Sequence, residues 1–339
     1  MSRLAAHNLA EQGPESALAP GISVVVPVYN SAGSLPELVA RLEPVLRGAT
    51  SSYELVLVDD GSRDASWQTI CELTAQHAWI VGLRLMRNYG QHNALLCGMR
   101  RARYDAIVTI DDDLQNPPEE IPKLLRKLDE GYDVVYGAPE HKQHGLFRGI
   151  ASNITRLALQ SAMGAESARN VSSFRALRTE LRAAFDDYRA PYVSVDVLLS
   201  WATSRFTAIF VRHERRTIGT SGYTFGKLVA HGLNMMTGFS TRPLQIASLI
   251  GFGFTFFGVA VLAYVVGRYL IQGGSVPGFA FLASTIAIFS GVQLFVLGII
   301  GEYLARIHVR TMERPTYVVQ SQSSDRAPSA QFGSDRPNG

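Results

Sequence analysis

Short apolar runs rich in β-branched residues recur at 22–28, 53–58, 80–85, 106–110 and 133–136, and segments with helical spacing separate them. Helices are predicted over 35–47, 65–76 and 91–101, each bounded by polar or glycine-containing turns. Strands alternating with helices predict an α/β fold with a doubly wound, mostly parallel sheet. Ligands bind such sheets outside the carboxyl ends of the strands. From 145 to 216 the pattern is less regular; a helix over 147–163 and a strand over 206–211 are expected.

Further along, polar and apolar positions stop alternating. Residues 223–242 carry Phe225, Leu228, Val229, Leu233 and Met236 at helical spacing, which predicts an amphipathic helix lying on a membrane surface. Between Pro243 and Gly301 the only charged residue is Arg268. That stretch holds two spans of roughly 20 residues each, placed at 244–270 and 279–301 with a Gly/Pro turn at 272–278. Arg242, Arg306, Arg310 and Arg314 flank the outer ends while Arg268 stands near the turn. The positive-inside bias therefore puts the sheet domain and both termini in the cytoplasm of a multi-pass protein. The expected division is a tail at 1–20, the sheet domain at 21–222, the interfacial helix at 223–242, the two spans at 243–305 and a second tail at 306–339. Residues 1–20 lack a continuous apolar core and read as a mobile tail rather than a signal peptide, and 321–339 read the same way.

Composition changes the picture little. Hydrophobic residues make up 47% and charged ones 18% of 339 residues, an average over a polar part and an apolar part. The formal charge of +3, without a block of consecutive basic residues, lacks the footprint of a nucleic-acid binder. Two cysteines, Cys71 and Cys97, form no CxxC pair, which argues against a disulfide framework or a zinc site. The sequons at Asn153 and Asn170 would matter only in a secretory lumen.

The chemistry concentrates at strand ends. Asp111-Asp112-Asp113-Leu114-Gln115 follows an apolar strand, and clustered carboxylates repel one another unless a hard cation neutralises them, with phosphate oxygens completing its shell. An acidic turn capping a helix has the same tripeptide. A second strand ends in Asp59-Asp60-Gly61-Ser62, where Asp60 can accept hydrogen bonds from a uracil-like base. A third ends in Pro27-Val28-Tyr29-Asn30, a stiffened loop with a ring for the base to pack on. Each has an ordinary turn or helix cap as its alternative, but all three fall on the expected ligand edge.

Through VVVPVYN, VDDGSRD, RNYGQ and DDDLQNPPE, residues 22–136 resemble the nucleotide-sugar domain of family 2 glycosyltransferases of the GT-A type. The last two motifs, with Asp129-Glu130-Gly131-Tyr132-Asp133 and the run from Gly301 to Ile307, resemble the narrower group of polyprenyl-phosphate glycosyltransferases. That group includes bactoprenol glucosyltransferases, dolichol-phosphate mannose synthases and undecaprenyl-phosphate formamido-aminoarabinose transferases, the last being most similar. The likeness runs over about 21–320.

The resemblance implies that Pro27, Tyr29, Asn30, Asp60, Arg87, Asn88, Asp112 and Gln115 form the donor site. It implies that Asp111, Asp113 and Gln115 hold Mg²⁺ or Mn²⁺. It also implies a phosphate-binding loop in which Arg215, Arg216, Ser221 and Tyr223 face the acceptor, with Asp111, Asp113 and Arg216 the catalytic residues. Gly222 stands where relatives often carry Lys, and Lys227 is a candidate substitute. Ser172-Ser173-Phe174-Arg175 stands where glucosyltransferases have Gly-Asp-Phe-Arg, which removes an aspartate.

A lipid monophosphate, with a second pKa of about 6, is largely anionic at neutral pH and needs no general base. The expected reaction is inverting transfer from a nucleotide diphosphate sugar, UDP favoured, to a polyprenyl phosphate such as undecaprenyl phosphate. The expected setting is the bilayer of a bacterial inner membrane, and the group's habit implies a homo-tetramer. Two other readings are a processive polysaccharide synthase, whose Gln-x-x-Arg-Trp motif is absent, and a silent nucleotide-sugar sensor or membrane scaffold.

Overall fold

The computed structural model describes residues 18–139, 171–190, 193–214, 242–272 and 278–323. Five strands alternate with four helices: β1 (Ala19–Val28), α1 (Leu35–Ala49), β2 (Tyr53–Asp59), α2 (Ser66–Gln76), β3 (Ile80–Leu85), α3 (Gln91–Arg101), β4 (Tyr104–Thr109), α4 (Ile121–Asp129) and β5 (Val134–Pro139). Then come β6 (Arg175–Arg178), α5 (Val195–Ala202), β7 (Phe206–Val211), the long helices α6 (Arg242–Gln272) and α7 (Phe279–Thr311), and β8 (Val319–Ser323). One sheet contains all eight strands in the order β7-β5-β6-β4-β1-β2-β3-β8.

Burial on both faces explains the continuous apolar strands. Val24, Val26, Leu55 and Leu57 pack with α1, α2 and α4 on one face, while Val25, Val56, Val58 and Ile107 pack with α3 and α5 on the other. Fully burying each such side chain contributes about 1.5–3 kcal/mol. Chain order reverses at β1, which pairs in parallel with β2 on one side and β4 on the other. This switch point opens a crevice beyond the carboxyl ends of β1 and β4.

Two antiparallel strands, β6 inside the sheet and β8 at one edge, depart from the expected layout. β6 pairs with both β4 and β5. β8 pairs with β3, Leu83 opposite Gln322, so residues 321–323, expected within a tail, extend the sheet instead. The structure also carries α7 to Thr311, past the expected end at 301 and into the expected C-terminal tail. An ion pair one turn apart, Arg306 to Glu302 at 2.7 Å, lies on that extension. The expected helix over 147–163 and the interfacial helix over 223–242 lie outside the described residues, apart from Arg242, which begins α6.

Helices α6 and α7 contain segments, Pro243–Ile271 and Ile288–Thr311, long and apolar enough to cross a membrane. They pack on each other through Phe254 and Phe289, ring centroids 6.1 Å apart. Gly258 permits that contact, because a Cβ there would stand 2.8 Å from the Phe289 ring. Sheet strands flank the pair in sequence, β7 before and β8 after, so the chain leaves the sheet domain and returns to it.

Candidate functional site

Four loops converge beyond the carboxyl ends of β1 to β4, and their polar side chains mostly hold one another. Asn30, at φ 54°, donates its amide to Ser62 Oγ at 3.0 Å, and its Oδ1 accepts from the Arg63 amide at 2.8 Å. Ser31 N donates to Ser66 Oγ and Ala32 N to Asp64 Oδ2. The loops after β1 and β2 are thereby laced into one surface. Tyr29, 45% exposed, presents its ring there. Pro27 is buried inside β1 and reaches the site only through the loop it stiffens. The β4 ladder ends at Val25, so the missing amide of Pro27 lies past the last rung on that side.

Asp60 is 3% exposed and accepts the amides of Tyr89 and Gly90 at 2.7 and 2.8 Å. Burial pushes its carboxyl up to about 6, against those two hydrogen bonds, which favour the anion. It thereby holds the loop that carries Arg87 and Asn88. Gly61, at φ +68°, lies directly beneath that loop; a Cβ there would come within 2.6 Å of the Arg87 carbonyl carbon. Arg87 and Asn88 are exposed, with the Arg87 guanidinium 4.5 Å from the centre of the Tyr89 ring.

The acidic loop after β4 meets the others at the switch point. The Tyr29 amide donates to Asp112 Oδ2 at 3.2 Å, and burial pushes the Asp112 carboxyl up to about 6. Asp111 Oδ1 accepts from Gln91 Nε2 at 2.7 Å, and its Oδ2 accepts the Ser173 hydroxyl. Asp113 Oδ1 accepts the Gln115 amide at 3.1 Å, and Leu114 between them takes φ 60°. Gln115 in turn accepts the Glu214 amide at 2.8 Å, which brings the strand end after β7 to the acidic loop. Arg41 ties Glu119 and Glu214 together, at 2.8 and 3.3 Å. Arg215, Arg216, Ser221 and Tyr223, with Gly222 and Lys227, lie outside the described residues; Arg215 follows Glu214 directly in sequence.

Among the described residues no three His, Cys, Asp or Glu side chains gather as a metal cage. The all-oxygen set of Asp111 and Asp113 nevertheless fits a hard divalent cation that takes its remaining ligands from a substrate diphosphate. Each engaged carboxylate oxygen of Asp111 keeps a second lone pair for such an ion.

Sequence reasoning missed what lies behind this loop. Arg175, 1% exposed, pairs with Asp196, 5% exposed, and Tyr136 donates its hydroxyl to the same Asp196 Oδ1 at 3.0 Å. Asp196 belongs to no motif, and its only signal was a carboxylate inside an apolar helical run.

A family model described as glycosyl transferase family 2 matches residues 23–184. The undecaprenyl-phosphate 4-deoxy-4-formamido-L-arabinose transferase of Shewanella sediminis is 37% identical over 88% of this chain and 91% of its own length. The enzyme of that name from Pectobacterium carotovorum is 35% identical over 91% and 95%. Among solved structures, glucosyl-3-phosphoglycerate synthase from Mycobacterium tuberculosis is similar over 64% of this chain and 78% of that one, at 20% identity and a TM-score of 0.49.

Proposed function

The chain belongs to glycosyl transferase family 2, and from that premise we propose that it moves a sugar from a nucleotide diphosphate donor, UDP favoured, onto the phosphate of undecaprenyl phosphate. The carrying observation is the extent of the likeness: relatives named for that acceptor match about nine-tenths of the chain, beyond the sheet domain and through the apolar hairpin. A polyprenyl tail stays in the bilayer with its phosphate at the interface, and the hairpin keeps the sheet domain beside it, in this reading on the cytoplasmic side of an inner membrane.

Each part has a task. Tyr29 and the surface laced by Asn30 seat the base and ribose, while Asp60 and Gly61 hold Arg87 and Asn88 over the nucleotide. Asp111 and Asp113, with Gln115 beside them, would hold Mg²⁺ or Mn²⁺. Such a cation, when bound, offsets the charge that builds on the departing diphosphate. Arg215 and Arg216, with Ser221 and Tyr223, bind the lipid phosphate and aim it at the anomeric carbon. In-line attack by an acceptor that is already anionic gives inversion, and positioning is the main contribution of the protein.

The test compares undecaprenyl phosphate with undecaprenol as acceptor, following glycolipid mass with a panel of UDP- and dTDP-sugars. Product from the phosphate alone supports the proposal. Product from the alcohol would contradict it, because that reaction demands a base that this reading omits.

A further inference from the structure

The acidic loop is connected to the core by hydrogen bonds that meet at Ser173, at its backbone carbonyl on one side and its hydroxyl on the other. Arg175 Nε donates to Thr109 Oγ1 at 3.2 Å, and the Thr109 hydroxyl donates to the Ser173 carbonyl at 2.6 Å. The Ser173 hydroxyl then donates to Asp111 Oδ2. At the inner end Arg175 is fixed by Asp196, and its guanidinium lies 5.7 Å from the centre of the Tyr136 ring. Arg175 Nε, Thr109 Oγ1 and Ser173 Oγ each have an acceptor, and the two hydrogen-bonded segments are joined through the covalent frame of Ser173.

A buried ion pair is weak evidence for stability, since well-packed apolar residues of similar volume often do as well or better. Its place here suggests another role. Thr109 is the last residue of β4 and Arg175 the first of β6, and the two pair across the ladder. Fixing them sets where the backbone of Ser173 stands and so where its hydroxyl points.

We propose that Arg175 and Asp196 are positioning residues for Asp111, acting through Thr109 and Ser173, so that a buried pair with no contact to substrate orients a carboxylate that binds the metal. The proposal rests on the metal role given to Asp111 above. It also accounts for serine at 173. A neutral donor there can orient Asp111, whereas an aspartate would add a fourth carboxylate to the cluster and, when ionised, could not donate.

The experiment measures Mn²⁺ binding to the purified full-length protein in the presence of UDP, by the electron paramagnetic resonance signal of free Mn²⁺. The variant carries Arg175→Met, Asp196→Leu and Tyr136→Phe together, which removes the pair and the hydroxyl it satisfies. Partners in the outer shell of a metal site typically contribute 10- to 100-fold in affinity. The folded triple variant should therefore bind Mn²⁺ at least about tenfold more weakly. Ser173→Ala should do the same without touching the core, and Ser173→Thr, which keeps the hydroxyl, should bind like wild type. A role in stability alone would lower the thermal midpoint and leave these affinities unmoved.

Binding within about twofold of wild type in the folded triple variant or in Ser173→Ala would overturn the proposal. Should the triple variant not fold, Thr109→Val, which keeps the shape of the side chain and cuts the link between Arg175 and Ser173, decides in its place: binding about tenfold weaker supports the proposal and binding within about twofold overturns it. Absence of Mn²⁺ binding by wild type with UDP would instead overturn the metal role of Asp111 itself, and the positioning role with it.

Discussion

The sheet domain and the helical hairpin use the same apolar side chains in opposite ways. In the sheet, Val24, Leu55 and Leu57 are fully buried; in the hairpin, Leu262 is 62% and Phe256 80% exposed. An aqueous protein cannot leave so continuous an apolar surface uncovered, whereas lipid tails cover it at no cost. The apolar residues of the sheet are covered by its own helices, whereas those of the hairpin are left exposed, as the membrane anchoring proposed above requires.

Polar groups divide in the same way. The sheet's carboxyl edge concentrates Asp60, Asp111, Asp112 and Asp113, while between Pro243 and Gly301 only Arg268 is charged. Chemistry at the edge and anchoring in the hairpin should then be separable by mutation. Asp113→Ala should lower the transfer rate by about 10³-fold, of the order of removing one preorganised electrostatic group. Membrane association, read by flotation with liposomes, should not change. Loss of flotation in that variant would break the division.

Next in size, Leu55→Ala should cost about 2–5 kcal/mol in the sheet domain, while Leu262→Ala, already exposed, should leave its thermal midpoint in place. Gly61→Ala forces a Cβ into the backbone of Arg87 at a positive φ, which costs about 1–3 kcal/mol, and it should weaken nucleotide binding. Gly251→Ala, with nothing within 4 Å of the added carbon, should be neutral or slightly stabilising. Calorimetry with and without UDP reads each pair.

The smallest effect is a pH dependence confined to the sheet. Burial raises Asp60 from 3.8 to about 6, so the folded state prefers the protonated form. Its ionisation therefore withdraws stability as pH rises from about 4 to about 6, with no further change above. Binding runs the other way, because only the carboxylate accepts both the Tyr89 and the Gly90 amide. UDP affinity should fall a few-fold as pH drops through about 6, and Asp60→Asn should flatten that dependence. A slope unchanged in the variant would assign the titration elsewhere.

Strands β1 to β5 and both long helices were legible because burial imposes a pattern that neighbours in sequence share. The antiparallel strands were not. β6 has four residues, and β8 reads Val-Gln-Ser-Gln-Ser, with no apolar alternation. The open edge of β3 decides its pairing, and no local propensity announces it. Of the site, the acidic loop and the glycine turn at 61 were legible from residue type and spacing. Asp60, expected in the donor site, accepts two backbone amides of the neighbouring loop, a role its sequence context did not announce. The Arg175–Asp196 pair was hidden because its members lie 21 residues apart and only the fold brings them together.

Transfer itself tests the account most directly. Protein reconstituted in liposomes with undecaprenyl phosphate, a divalent cation and a panel of UDP- and dTDP-sugars should form one new glycolipid by mass. The product should vanish with EDTA and in Asp113→Ala. Donor binding without glycolipid from any sugar in the panel would contradict the account and leave a nucleotide-sugar sensor or scaffold in its place.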